Sequence, residues 1–269
     1  MILTVAAVFL LGGLITGFLT GMLGLGGGVV MVPLVYESYL HSGAAPKAAF
    51  ITAVASSLAV IVFTGGYAAW THYREGRLDL RLVLRMGLGT VCGALLGAHF
   101  LLQVDNGPVR YAFGVFLWIV AASMLLPRAA ARPHDASISL GAQLGLVLIG
   151  VFMGVAASLF GIGGAALVVP ALILFFGVSV HRAIAAASAM ILVTAVCSSL
   201  NYVLTGWHDP AAPAHGIGWI DPVAVLLLLP GALFTTRIGI RIAQGYSGRR
   251  LQILLMLFQV GVGARFLFS

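Results

Sequence analysis

Two stretches decide the fold: GFLTGMLGLGGGVVMVP at residues 17–33 and GVAASLFGIGGAALVVP at residues 154–170. They align without a gap at an offset of 137, pairing Gly17 with Gly154, Gly24 with Gly161, Gly26 with Gly163, Gly27 with Gly164, Val32 with Val169 and Pro33 with Pro170. A second match, at an offset of 142, pairs Asp79 with Asp221, Gly89 with Gly231 and Gly97 with Gly239. The chain therefore reads as a duplication, each copy carrying a glycine cluster inside an otherwise apolar run.

Composition fixes the solvent. Of 269 residues, 61% are hydrophobic and only 8% charged, with a mean hydropathy of +1.11. Soluble domains carry about 25% charged residues, so this chain cannot cover a compact surface with ions, and most of it is expected to face lipid. A spanning helix needs about 20 apolar residues, which leaves room for roughly eight to ten segments and no extramembrane domain. The net charge of +7 does not point to nucleic acid, because a nucleic-acid binder concentrates its charge on one accessible face. Here the basic residues sit in short connections. Cys92 and Cys197 lie in apolar runs away from other ligand-type residues and are expected to be small buried side chains. The N-terminal run MILTVAAVFLLGG lacks a basic n-region, and reads as a retained membrane segment.

Ten apolar stretches are predicted, over about 2–23, 29–39, 48–71, 82–103, 109–126, 140–160, 165–177, 182–204, 221–243 and 250–267. The second and seventh are too short to span and each follows a glycine cluster, so each is expected to pair with the stretch before it as a broken or re-entrant helix. Lys and Arg in short loops stay cytoplasmic. HYREGRLDLRLVLR (72–85) and PRAAARPHDAS (127–137) are thereby inside, and TGWHDPAAPAHGIGW (205–219), with no Lys or Arg, is outside. Eleven of the fourteen basic residues, Arg182 among them, fall inside; Lys47, Arg110 and Arg265 do not. Both termini are then predicted outside, in a cell membrane of the bacterial inner-membrane kind.

Five segments per half is an odd number, so the second copy starts from the opposite face. The expected fold is an all-α polytopic membrane protein of two inverted-topology repeats, residues 1–127 and 140–269, joined by a cytoplasmic linker at 128–139. Inverted repeats with broken helices characterise secondary transporters, with the substrate near the midplane.

Irregular backbone inside a membrane survives only where protein or a watered cavity satisfies it, so the glycine clusters mark a candidate cavity. Short helices begin after Gly24, Gly26, Gly27, Gly28 and after Gly161, Gly163, Gly164. A helix N-terminus presents free N–H groups and a partial positive charge, and glycine allows close approach to the backbone. Two such ends would face one anion. The spaced glycines Gly13, Gly17, Gly21 and Gly93, Gly97 instead read as helix-packing positions. Thr52, Ser56 and Ser57 in ITAVASSL, Ser188 in AAASAM, and Asn201 are candidates to complete the cavity, against the alternative that Ser and Thr bond their own helix. Arg237 and Arg241, one turn apart near a cytoplasmic end, are candidates for a vestibule rather than a central site. Tyr67, Trp70, Tyr73, Trp207 and Trp219 read as interfacial anchors.

These residues resemble the sulfite exporter TauE/SafE family of membrane anion transporters. The likeness rests on the paired G-x-G-G…V-P elements, on LLGAHFLL (95–102), on the stretch around Phe113 and on the HYREGRLD loop, and covers nearly the whole chain. It implies transport of sulfite, sulfonate, sulfoacetate or other organic anions. Ala165, standing where the first copy has Gly28, departs from the pattern and predicts a less open second loop. No Walker pattern accompanies the glycines, so secondary energetics, with export or ion-coupled uptake, are expected. An intramembrane enzyme would need a HExxH motif, a carboxylate pair or a Ser–His arrangement, and none is visible; a scaffold has no use for two broken helices. No metal or other cofactor is expected. The expected partners are a small anion and the bilayer, with a second copy of the chain left open, because a face rich in Leu and Phe suits either lipid or a subunit.

Overall fold

A computed structural model describes residues 2–24, 26–104, 106–123, 125 and 140–268; the expected linker at 128–139 and Asp105 lie outside these. Ten helices follow one another, with a single isolated bridge, Ile217 to Ile220, as the only extended pairing among the described residues. They are α1 (Ile2–Leu23), α2 (Gly28–His41), α3 (Pro46–Arg74), α4 (Leu80–Gln103), α5 (Asn106–Ser123), α6 (Leu140–Phe160), α7 (Ala165–Phe176), α8 (Val180–Gly206), α9 (Pro222–Gly245) and α10 (Gly248–Phe268). Six of them, α1, α3, α4, α6, α8 and α9, are long and apolar enough to cross a membrane. The protein is a polytopic helical membrane protein, and the two short helices fall at the expected places after the glycine clusters.

The centre is α3 packed on α8. Of their apolar spans, 83% and 72% are buried inside the protein, against 39% for α4 and for α9. Leu84, Leu88, Phe152 and Phe234 stand exposed on the surrounding helices, as side chains do when lipid is their solvent. Around the centre, α1 packs on α9, α4 on α6 and α5 on α10, while α2 lies on α3 and α7 on α8.

Backbone-to-backbone contact holds the two peripheral pairs. A Cβ added at Gly13, Gly17 or Gly21 would fall 2.2, 1.9 or 2.1 Å from the carbonyl oxygens of Leu228, Ala232 and Thr236. At Gly89, Gly93 and Gly97 it would meet those of Val147, Val151 and Val155 at 2.1, 2.0 and 2.5 Å. Residue numbers rise together in both series, so α1 runs parallel to α9 and α4 parallel to α6. The partners reciprocate: Gly231 and Gly239 admit α1, and Gly150 and Gly154 admit α4. Under the two sequence offsets these are equivalent glycines, so both halves build the same joint. Without a hydrophobic drive between helices in lipid, such close approach supplies the dispersion contacts that hold them together.

Two expectations need correction. Cys92 is exposed on α4 and Cys197 half-buried, both as free thiols, because a small apolar side chain suits a lipid-facing position as well as a buried one. Trp219 is no interfacial anchor. It is 2% exposed, its backbone N–H donates to the Tyr202 carbonyl at 3.2 Å, and Gly206 gives it room; Trp70 and Trp207 are exposed as anchors should be.

Gly17→Leu should separate α1 from α9 and lower stability by about 3 kcal/mol, read as a depressed melting temperature in detergent. Gly87→Leu, where an added Cβ meets nothing within 4 Å, should change it by less than about 0.5 kcal/mol; equal losses would refute the close-contact account.

Candidate functional site

Each glycine cluster is a turn with three left-handed residues. Gly24, Gly26 and Gly27 have φ of 69°, 72° and 72°, and Gly161, Gly163 and Gly164 have 66°, 72° and 80°. An L-residue in this region costs roughly 1–2 kcal/mol, which explains the G-x-G-G spacing. The hydrogen bonds repeat as well. Gly24 N–H donates to Thr20 at 2.9 Å, closing α1, and Gly161 N–H donates to Ala157 at 2.9 Å, closing α6. The Gly27 carbonyl accepts from Val30 and Met31, and the Gly164 carbonyl from Leu167 and Val168, opening α2 and α7. Neither helix start has an N-cap side-chain bond, the N-cap residues being Gly27 and Gly164.

The two turns meet. A Cβ at Gly28 would fall 1.7 Å from the Gly161 carbonyl oxygen, and one at Gly26 would fall 2.8 Å from that of Ile162. Gly28 therefore serves contact between the turns: it already has helical backbone, which is why its counterpart can be Ala165 without strain. Ser57 joins the same point from α3, its hydroxyl 2.8 Å from the carbonyl oxygens of both Val54 and Gly161. Ile191 of α8 lies against Gly26, Gly163 and Gly65, and Ile184 against Gly24. The described turn residues are buried, enclosed between α3 and α8.

The other candidates separate by role. Thr52 is 1% exposed and its hydroxyl has no partner. Ser56 is engaged elsewhere, accepting the Asp221 N–H at 2.9 Å. Ser188 donates to Ile184 of its own helix at 2.9 Å, the backbone-bonding alternative for such residues. Asn201, whose Oδ1 is buried without a partner, lies about three turns beyond Ile191 along α8, so the structure does not bring it to the glycine turns. Arg237 and Arg241 come together with Arg74 in a cavity of about 340 Å³ between the ends of α3 and α9. Among the described residues no group of three or more His, Cys, Asp and Glu gathers as metal ligands would.

The repeated Asp79 and Asp221 share a use that the sequence match alone does not show. Asp79 Oδ1 accepts the N–H groups of Arg81 and Leu82 at 3.1 and 3.2 Å, capping α4, while Oδ2 pairs with Arg182 at 3.3 Å. Asp221 Oδ1 likewise accepts from Val223 and Ala224 at 2.8 and 3.3 Å, and Oδ2 accepts the Tyr39 hydroxyl at 3.0 Å. One oxygen caps a helix and the other reaches the opposite half of the chain. The duplicated Asp was the signal; its partners differ between the halves and carry none. A further polar cluster, with the Ser158 and Ser198 hydroxyls 2.6 Å apart and the Tyr202 hydroxyl donating to the Ser158 carbonyl at 2.9 Å, ties α6 to α8.

Comparison with known proteins agrees with this architecture. The chain is 28% identical over 239 residues to a "Probable membrane transporter protein" of Haemophilus influenzae, an alignment covering 86% of each protein. It is 26% identical over 278 residues to the "Probable membrane transporter protein YunE" of Bacillus subtilis, covering 96% of this chain and 95% of the relative. A "Probable membrane transporter protein" of Xylella fastidiosa is 30% identical over 201 residues, 73% of this chain and 74% of its own. No solved structure matches. The sequence model described as "Sulfite exporter TauE/SafE" matches residues 9–266, nearly the whole chain, and the protein belongs to that family of membrane transporters.

Proposed function

We propose that the protein is a secondary transporter that exports a small sulfur-containing or organic anion, of the sulfite, sulfonate or sulfoacetate type, by alternating access. The observation that carries this reading is the meeting, at one buried point, of the two glycine turns that open α2 after Gly27 and α7 after Gly164, neither start having an N-cap side-chain bond. Both ends present partial positive charge, and the anion would bind there when the turns part, with Gly24, Gly26, Gly161 and Gly163 keeping the backbone accessible. Ser57 places a hydroxyl on the Gly161 carbonyl, and Thr52 offers one without a partner. Export of an anion from a negative interior releases about 2.3 kcal/mol per charge per 100 mV, so no nucleotide is required.

The halves are read as inverted repeats with both termini outside a cytoplasmic membrane. The parallel runs of α1 with α9 and α4 with α6 support this orientation, because the charge distribution independently assigns the members of each pair the same direction. Asp79 with Arg182 then closes the cytoplasmic side and Asp221 with Tyr39 the outer side. Each bond crosses between halves, so releasing one at a time opens one face at a time.

Thermal shift of the purified protein against sulfite, thiosulfate, sulfoacetate, taurine and simple carboxylates, with and without sodium, tests the substrate class. Sulfur oxyanions should stabilise it without sodium, and a sodium-dependent carboxylate shift would replace export by coupled uptake. Ser57→Ala, which leaves the Gly161 carbonyl without its hydroxyl donor at a cost of about 1–3 kcal/mol, should weaken the ligand shift more than Ser188→Ala. Equal behaviour of the two would detach α3 from the site.

Orientation is read from Ala212→Cys, expected to react with an impermeant thiol reagent in intact cells; reaction only after permeabilisation would reverse the topology. In a background lacking Cys92 and Cys197, Thr52→Cys should become reactive from outside when combined with Asp221→Asn, and stay protected with Asp79→Asn. The same reactivity in both would remove the gate assignment.

A further inference from the structure

The cavity between the ends of α3 and α9 is lined by Arg74, Arg237 and Arg241 together with Tyr67, Trp70 and Gln244. Among the described residues none of the three arginines has an ion-pair or hydrogen-bond partner. Glu75, the one carboxylate on the wall, is already engaged: Gln244 Nε2 donates to its two oxygens at 2.9 and 3.2 Å, and Arg77 lies 3.2 Å from Oε2. Three arginines therefore line the cavity beside a single acid whose charge is turned toward another arginine. Such a set wants a multiply coordinated oxyanion, because guanidinium forks bind phosphate in pairs of parallel hydrogen bonds.

What adjoins the cavity selects the source of that oxyanion. Trp70 is 59% exposed, and Phe234 and Ile238 stand exposed on α9 next to Arg237. An apolar lipid-facing strip thus leads directly to the arginines. No residue of the glycine turns lines the cavity, so it is separate from the point where α2 and α7 begin. A soluble anion would use the charge and leave the strip idle; a phospholipid uses both.

We propose that this cavity seats the phosphate of an anionic phospholipid, with its acyl chains along the exposed faces of α3 and α9. Basic pockets between membrane helices on the cytoplasmic side bind anionic headgroups in this manner. Assignment to the cytoplasmic leaflet rests on the orientation read above; the binding itself does not, and it can fail or succeed whatever anion is transported.

The test uses the full chain, delipidated in neutral detergent, with phosphatidylglycerol, phosphatidylcholine, inorganic phosphate or sulfite added. Phosphatidylglycerol should raise the melting temperature by several degrees and remain bound in native mass spectrometry. Phosphatidylcholine and inorganic phosphate should do neither. The effect should vanish in Arg237→Gln/Arg241→Gln and persist in Arg249→Gln, a basic residue at the start of α10 outside the cavity. Should the double variant not fold, Arg74→Gln alone should lower the apparent lipid affinity at least about fivefold. An equal response to phosphatidylcholine would overturn the proposal. So would retention in the arginine variants, or an inorganic phosphate or sulfite shift as large as the lipid's, which would make the cavity a soluble-anion vestibule.

Discussion

Everything in this molecule depends on backbone touching backbone where a Cβ would forbid it. In water, helices associate because apolar surface leaves the solvent; in a bilayer that drive is absent and contact must come from fit. Gly17 on the Ala232 carbonyl and Gly93 on the Val151 carbonyl each let two helices approach more closely than any side chain allows. The same absence of a side chain brings Gly28 onto Gly161, so the joints that hold the periphery and the turns that meet in the centre are one physical device used at different depths. Residues with larger side chains, such as Leu84 and Phe234, are left to face lipid, where size carries no penalty.

A turn inside an apolar interior must account for its own polar groups, since each unsatisfied amide or carbonyl is costly there. The glycine turns answer this with left-handed backbone: the preceding helix closes on the first glycine and the next opens on the last, so few groups are stranded. Ser57 takes up the Gly161 carbonyl. What stays without an N-cap side-chain bond is the start of α2 and of α7, where the N-cap residue is itself a glycine of the turn.

Much of this was legible in the sequence. The ten apolar runs match the ten helices to within a few residues, because glycine clusters, Asp at helix starts and charged connections punctuate them. The packing of Gly13, Gly17 and Gly21 was readable because spaced small residues have one common use in membrane helices. The identity of their partners was not, since a glycine stripe does not name the helix it meets. Ser57 and Ser188 look alike in sequence, yet one reaches a carbonyl of the other half and the other bonds only its own helix, a distinction set by how α3 and α8 lie against the turns. Asn201 shares the polarity of the site and not its place. Trp219 carries an anchor's composition, but the connection between α8 and α9 folds inward beneath Gly206 and buries it. The asymmetry between the two aspartates was equally hidden: Arg182 and Tyr39 fall outside the aligned offsets, so no repeat comparison could pair them.

That asymmetry has a physical consequence. The two halves share the same joints and the same capping oxygens, and differ in what the second oxygen meets. Here a part-buried ion pair joins the halves on one side, Asp79 and Arg182 having side chains 22% and 39% exposed, a charge pair that weakens with salt. A charged-acceptor hydrogen bond from Tyr39, part-buried, holds the other, and bonds of that kind contribute about 1.5–3 kcal/mol. With the capping oxygens equivalent, the difference between the faces rests on the partner of the second oxygen.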